Sequence, residues 1–465
     1  MSARVGAAVA GLSGAIGALM VIVLSALTNP IVAIGMPVLM LLGTYALLSP
    51  FVGLALLAFF SHLDGLSYIV FAPSPVSGFK LLSAVTLAGI FLTAHQNRKQ
   101  LRLALRNPVL VLALLFGVAM MLSALGAQSK GIALDSMRRL FSLILLLVLF
   151  VILVDSRARL STVVHIVILT SLVSATILIL DIALGTTLVS TSDAATTART
   201  SDGFDRSSGA SQYNPTTAAT MLLTGVVIAL VALLEGGRHR PLYILTVLIG
   251  SLGLVLSFAR SSALIYMVIL VLLAWRYRKS RYFPLGMLMM LLGGAVMLPF
   301  VPAEYFDRIA SILDGGGDWT LGRRLTYNII GLDLVWQHPV FGVGPGNFKV
   351  YFVDPEYRYL PGRTLLGRQL HNMYLSVIVE YGIFGAVFFL GFCLYGLRQV
   401  RRVMCAPVDH DMRVLATAFF YGYLAYLLVS VFVPNEYNKY TWMLAGIAAS
   451  FPLLNNHRKP GPDEN

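Results

Sequence analysis

The chain has 465 residues, of which 57% are hydrophobic and 12% charged, at a mean hydropathy of +0.80. A soluble domain of this size carries roughly twice that charged share, so the composition excludes a soluble enzyme and describes an integral membrane protein. The net charge of +13 excludes little by itself, but most Lys and Arg lie in short connections between apolar runs, where they set topology and do not recruit nucleic acid.

Taken in order, the apolar runs predict spans at 5–27, 31–48, 51–62, 79–95, 107–125, 139–154, 160–184, 215–235, 241–258, 261–275, 283–301, 372–396, 413–434 and 439–455. This is about fourteen by the ~20-residue criterion, or ~12 if the short third run and the region of Pro37 and Pro50 are discounted. The first run follows Arg4 and reads as a retained helix, since it is long and further spans follow. The expected fold is an all-α integral membrane protein of about 12–14 transmembrane helices. It forms one polytopic domain over 1–465, with a large outer loop at 302–371 and a smaller one at 185–214.

Basic residues fall in alternate connections: Arg98 to Arg106, Arg157 and Arg159, Arg238 and Arg240, Arg276 to Arg281, Arg398 to Arg413, and Arg458 with Lys459. The positive-inside rule puts these in the cytoplasm. The remaining connections then face outward: 63–78, 126–138, 185–214, 257–262, 302–371 and 434–439. Arg138 and Arg139 break the pattern and belong at the outer edge of a helix or in a site.

Four features on the outer side carry chemistry. Arg260 stands in Ser257-Phe258-Ala259-Arg260-Ser261-Ser262, in a hairpin so tight that its guanidinium lies at or below the membrane surface. That placement costs ~2.5–3.5 kcal/mol unless the group is paired or wet, which suggests an anion contact. Arg324, or Arg323 in its stead, opens a helix whose apolar stripe is Leu325, Ile329, Leu332 and Trp336, expected to lie on the membrane plane.

The run Phe341-Gly342-Val343-Gly344-Pro345-Gly346-Asn347-Phe348 lacks the strand and Lys-Ser/Thr of a phosphate loop and reads as a tight turn that lets backbone approach backbone. His371 precedes the span that starts at Asn372, where the helix dipole disfavours imidazolium, so the neutral ring can accept a proton. Glu380, nine residues on, points to the opposite helix face roughly 13 Å deeper and requires a partner elsewhere. Cys393 and Cys405 have no metal-ligand spacing, and no cluster of metal type, serine-nucleophile motif or cofactor fingerprint competes.

Arg206-x-x-Gly209 with Asn214-Pro215, Ser257 to Arg260, Arg324 through His338-Pro339 to Gly342-Val343-Gly344, and His371-Asn372-x-x-Leu375 with Glu380, Gly382 and Gly385 occur in this order. Together they resemble the O-antigen ligase and polymerase superfamily of membrane glycosyltransferases over about residues 200–390. The family's usual Gly after the Arg of the Ser-Arg pair is replaced here by Ser261.

The resemblance implies a helical enzyme of GT-C-like character, metal-independent and inverting, with its site on the periplasmic face of a bacterial inner membrane. Its donor would be a glycan on undecaprenyl diphosphate, and its acceptor a growing glycan or lipid A core. Arg206, Arg260 and Arg324 would contact the diphosphate and His371 would act as base. Gly342, Gly344, Asn372 and Glu380 would support the site. The Gly342 turn and the His371 helix are closer to the polymerase branch, which makes repeat polymerisation of O-antigen or exopolysaccharide the leading expectation, ahead of ligation. A flippase of lipid-linked sugar also accounts for the outer arginines and many spans, but predicts polar groups on both sides.

Overall fold

The computed structural model describes residues 41–66, 78–93, 102, 104–189, 206–281, 283, 284, 288, 319–360 and 367–455. The chain is all-helical, with no β-strand among the described residues. Its helices are α1 (Pro50–His62), α2 (Gly78–Leu92), α3 (Pro108–Gly126), α4 (Lys130–Leu153), α5 (Arg157–Leu184), α6 (Pro215–Leu234) and α7 (Arg240–Leu256). They continue with α8 (Arg260–Tyr277), α9 (Trp319–Gln337), α10 (Phe348–Phe352), α11 (Met373–Cys405), α12 (His410–Val429) and α13 (Lys439–Asn455).

Among the described residues, seven helices (α3, α4, α5, α6, α8, α11 and α12) are long and apolar enough to cross a bilayer. The predicted span at 5–27 and most of those at 31–48 and 283–301 lie outside the described residues, as do 302–318, 190–205 and 361–366 of the two predicted outer loops.

Helix starts follow the local sequence. Asn107 and Asn214 each precede a proline at the first helical position and accept a backbone N–H of the first turn, as Asp409 does for Met412. One boundary departs from expectation. The predicted outer loop 126–138 is mostly helix, because α4 begins at Lys130 and carries Arg138 and Arg139 in its third turn. Polar residues that defeat a hydropathy criterion are still good helix formers, so the helix outruns its apolar segment.

The core centres on α6, which is buried along most of its length by α5, α7 and α12. Small residues permit this approach: a Cβ on Gly225 would strike Ser171, and one on Gly422 would strike Ile228 of α6. The Thr220 and Thr224 hydroxyls donate to carbonyls one turn back, which satisfies them within the helix. Phe116, Tyr381, Phe389, Phe392 and Trp442 pack edge-on or tilted at 4.9–6.5 Å between centroids and join α3, α11 and α13.

The ends of the helices sort into two faces. On one, Arg157 pairs with Asp409, Arg238 with Asp411 at 2.7 Å and Arg276 with Glu235 at 3.0 Å. Such partly exposed pairs contribute at most about 1 kcal/mol each, but they gather the arginine-rich connections at one end of the bundle. The other end holds the predicted site residues.

Candidate functional site

Arg206 and the hairpin before Arg260 meet directly. The Arg206 guanidinium donates through Nε and Nη2 to the Ser257 carbonyl at 3.0 and 2.9 Å. Phe258 takes φ 53°, a conformation costly for a non-glycine residue, and so turns the chain tightly enough to set Arg260 as the first residue of α8, half-buried.

The segment carrying Arg206 is strapped down. Ser207 Oγ donates to Asp181 at 2.5 Å, and the Gln212 N–H donates to Asp64 at 2.8 Å. The other Asp64 oxygen receives Lys439 Nζ at 3.1 Å, and Asp64 is buried. Removing one partner of a buried pair leaves an uncompensated charge. Asp64→Ala should therefore cost about 3 kcal/mol, measured as a fall in the thermal midpoint of detergent-purified protein, and Lys439→Met on the same background should recover part of it.

His371 meets α9. The Tyr327 and His371 rings lie 5.5 Å apart, a Cβ on Gly331 would press on Leu370 and Leu375, and the Pro339 carbonyl accepts Ile383 N–H at 2.9 Å. Thus α9 runs beside the first part of α11 in the same direction. It also starts at Trp319, five residues before Arg324, so Arg324 sits in its second turn, half-buried, one turn from Tyr327. The Arg323 side chain lies outside the described residues.

The expected stripe Leu325, Ile329, Leu332 and Trp336 is exposed, Trp336 to 85%, while Tyr327, Ile330 and Leu334 pack inward on Phe348, Phe352 and Leu370. Exposed Phe341 stacks on exposed Phe384 at 6.0 Å, so the stripe runs on into the apolar surface of α11. Such a continuous apolar surface fits contact with lipid. Asn372 caps α11, its side chain accepting from Tyr374 and Leu375 N–H.

The predicted single span from 372 is broken. Gly382 takes φ 65° inside α11, and the carbonyls of Val379 and Glu380, freed from their helical partners, accept Val343 N–H at 2.9 Å and Gly344 N–H at 3.0 Å. The turn thus seats itself in the broken helix. Gly342, at φ 69°, has no room for a Cβ, which would fall 2.5 Å from the Val379 carbonyl oxygen.

Gly382 lies 16 residues before Arg398, about 24 Å along a helix, so the break falls near one edge of a hydrocarbon layer about 30 Å thick. Irregular backbone is tolerated there only when protein satisfies it. The partner that sequence could not name for Glu380 is this turn: its carboxylate accepts Gly346 N–H at 2.8 Å and the Tyr437 hydroxyl at 3.2 Å.

A cavity of about 300 Å³ opens at this junction. Its wall includes Asp135, Ser136 and Arg139 of α4, Phe348 and Lys349, Gln369 and Leu370, Ser376 and Glu380 of α11, and Glu436 and Tyr437. Glu436 Oε1 accepts the Ser376 hydroxyl at 2.7 Å, while Oε2 is buried with no hydrogen-bond partner among the described residues. Trp442 Nε1 donates to the Glu436 carbonyl at 2.9 Å and fixes the loop. Burial first, and then the Glu380 carboxylate, push the Glu436 carboxyl up to about 8, so it is largely protonated at neutral pH.

His371, Arg206, Arg260 and Arg324 do not line this cavity. His371 follows Leu370 of its wall directly, and the connection 435–439 spans from Glu436 in the wall to Lys439 beside the Arg206 segment. Arg358 and Arg368 are exposed, and Arg363 lies outside the described residues. From sequence, 434–439 reads only as an outward connection. The available signal was a Glu and a Lys within one short run between two apolar spans, since charges so placed require partners.

Residues 245–390 match the Wzy_C family model, described as O-antigen ligase. The matched stretch runs from α7 into α11 and takes in Arg260, Arg324, the Gly342 turn, His371 and Glu380, leaving Arg139, Arg206 and Glu436 outside it. It is consistent with the O-antigen ligase/polymerase superfamily and supports a multi-pass membrane enzyme of that type, a family that implies lipid-linked glycan substrates. No protein of curated function matches the chain.

Proposed function

We propose that this chain, with its O-antigen ligase domain match, transfers a glycan from undecaprenyl diphosphate to a hydroxyl acceptor at the periplasmic face of a bacterial inner membrane, and that the acceptor is a growing chain of repeats. The observation that carries the reading is the Wzy_C match across the very stretch that holds Arg260, Arg324 and His371.

In the proposed reaction the acceptor O–H gives its proton to the His371 imidazole, and its oxygen bonds to the anomeric carbon. The bond from that carbon to the phosphate oxygen breaks, with inversion. The diphosphate leaves with its electron pair, and Arg206, Arg260 and Arg324 stabilise the charge that grows on it, as guanidinium groups do without a metal. Each charge-assisted contact supplies about 1.5–3 kcal/mol.

Arg324→Lys should weaken donor binding by about 10-fold, because a point charge cannot reproduce a bidentate fork. Titration with undecaprenyl diphosphate checks this, and wild-type affinity would leave Arg324 as scaffold.

The family's description as O-antigen ligase favours a second reading, ligation of finished chains to lipid A core. Deletion separates the two: single repeats accumulating on the carrier mark a lost polymerase, while intact long chains absent from lipid A mark a lost ligase. Purified protein that moves labelled lipid-linked glycan between leaflets without forming a glycosidic bond would make it a flippase instead.

A further inference from the structure

The cavity beside the Gly342 turn has no part in the diphosphate chemistry proposed above, yet its wall includes buried polar groups, Ser376, Glu380 and Glu436, held by separate elements. Glu436 is 5% exposed; Ser376 fixes one of its oxygens, Trp442 fixes its backbone, and the other oxygen has no partner among the described residues. Buried polar atoms are nearly always paired, so an orphan carboxyl oxygen on a residue of the cavity wall marks where a ligand hydroxyl completes the bond.

The charges around it select the ligand. Arg139 and Lys349 line the same space as Asp135, Glu380 and Glu436. A diphosphate entering it would meet three carboxyl groups, whereas an uncharged polyhydroxylated ring finds acceptors and donors on several sides. Tyr437, half-buried, adds ring surface against which the C–H face of a sugar packs. The volume, about 300 Å³, is at the lower end for small-molecule sites.

We infer that this cavity seats the acceptor sugar, with Glu436 engaging one of its hydroxyls and so determining which acceptor is used. The assignment to the acceptor, as opposed to the donor glycan, rests on the glycan-transfer reading above. Gln369 and Leu370 carry the cavity wall straight into His371, the proposed proton acceptor, while the Arg206 and Ser257 junction lies on other elements.

Two variants test it. Glu436→Met keeps the volume and removes the polar end; one lost oxygen was orphaned and the other held the Ser376 hydroxyl, so the thermal midpoint should change little. Ser376→Val leaves Glu436 in place and puts methyl groups into the cavity. Nanodisc-embedded protein is titrated with the saccharide released by mild acid from the lipid-linked pool of cells expressing the chain, and separately with undecaprenyl diphosphate. Both variants should lose at least 10-fold in saccharide affinity, and in acceptor KM where turnover is measured, with undecaprenyl-diphosphate affinity within twofold of wild type.

Unchanged saccharide affinity in both variants overturns the assignment, as does a parallel loss of undecaprenyl-diphosphate affinity. The two readings fail differently. Saccharide binding that depends on Glu436 without any glycosidic bond formed would remove the transfer reading and leave the sugar site standing. Transfer that proceeds with acceptor KM unchanged in both variants would do the reverse.

Discussion

His371→Ala should lower turnover by about 10²–10⁴, the range over which a positioned general base acts, with undecaprenyl-diphosphate affinity within about threefold of wild type. Because the His371 ring packs 5.5 Å from that of Tyr327, truncation alone also loosens α9 against α11, and a second variant has to separate packing from proton transfer. His371→Gln fills much of the space and offers no base. If both variants fall together while their thermal midpoints stay close to wild type, the loss belongs to proton transfer. Turnover retained in His371→Gln would reduce His371 to a packing residue and leave the reaction without its proposed base.

What the sequence disclosed and what it hid follow from one physical distinction. An Arg in a hairpin between two apolar runs, such as Arg260, stands out because its environment is local and the energetic conflict is visible in a few residues. The alternating basic connections are legible for the same reason, and Arg157, Arg238 and Arg276 do gather at one end of the bundle.

The cavity wall was hidden because it joins residues that sequence distance keeps apart. Arg139 and Glu436 share it across almost 300 positions, and neither forms a pattern with its own neighbours. Arg139 was left between helix edge and site, and only the start of α4 at Lys130 places it in the wall. The direction of α9 was hidden too. The apolar stripe stays exposed, and it is Tyr327, Ile330 and Leu334, on another face, that pack inward beside α11.

Gly382→Ala should abolish folded protein, and the reason lies in the same kind of distant pairing. Within its own run Gly382 looks like Gly385, Gly391 or Gly396, small residues that let helices approach. Its φ of 65° by itself costs a non-glycine residue about 1–3 kcal/mol.

The larger conflict is steric, since an added Cβ would lie 2.2 Å from the Val340 carbonyl oxygen and 2.6 Å from Phe341 N. These are backbone atoms of the turn, and no rotamer change relieves them. If α11 straightened to remove the clash, the Val379 and Glu380 carbonyls would return to helical bonding and the Val343 and Gly344 N–H groups would lose their partners. Buried N–H groups so stranded cost about 1–3 kcal/mol each. The Gly346 N–H bond to Glu380 would go with them, and the cavity wall with that.

Gly342→Ala should fail in the same way, since its Cβ would sit 2.5 Å from the Val379 carbonyl oxygen. Gly391→Ala is the control. It lies in the same helix, its Cβ would meet only Leu112 side-chain atoms at 3.5 Å or more, and alanine favours the helix by about 1 kcal/mol. Monodisperse yield by size-exclusion chromatography should therefore vanish for Gly382→Ala and Gly342→Ala and hold for Gly391→Ala. Equal yields for all three would mean that α11 runs unbroken and that the turn never enters it.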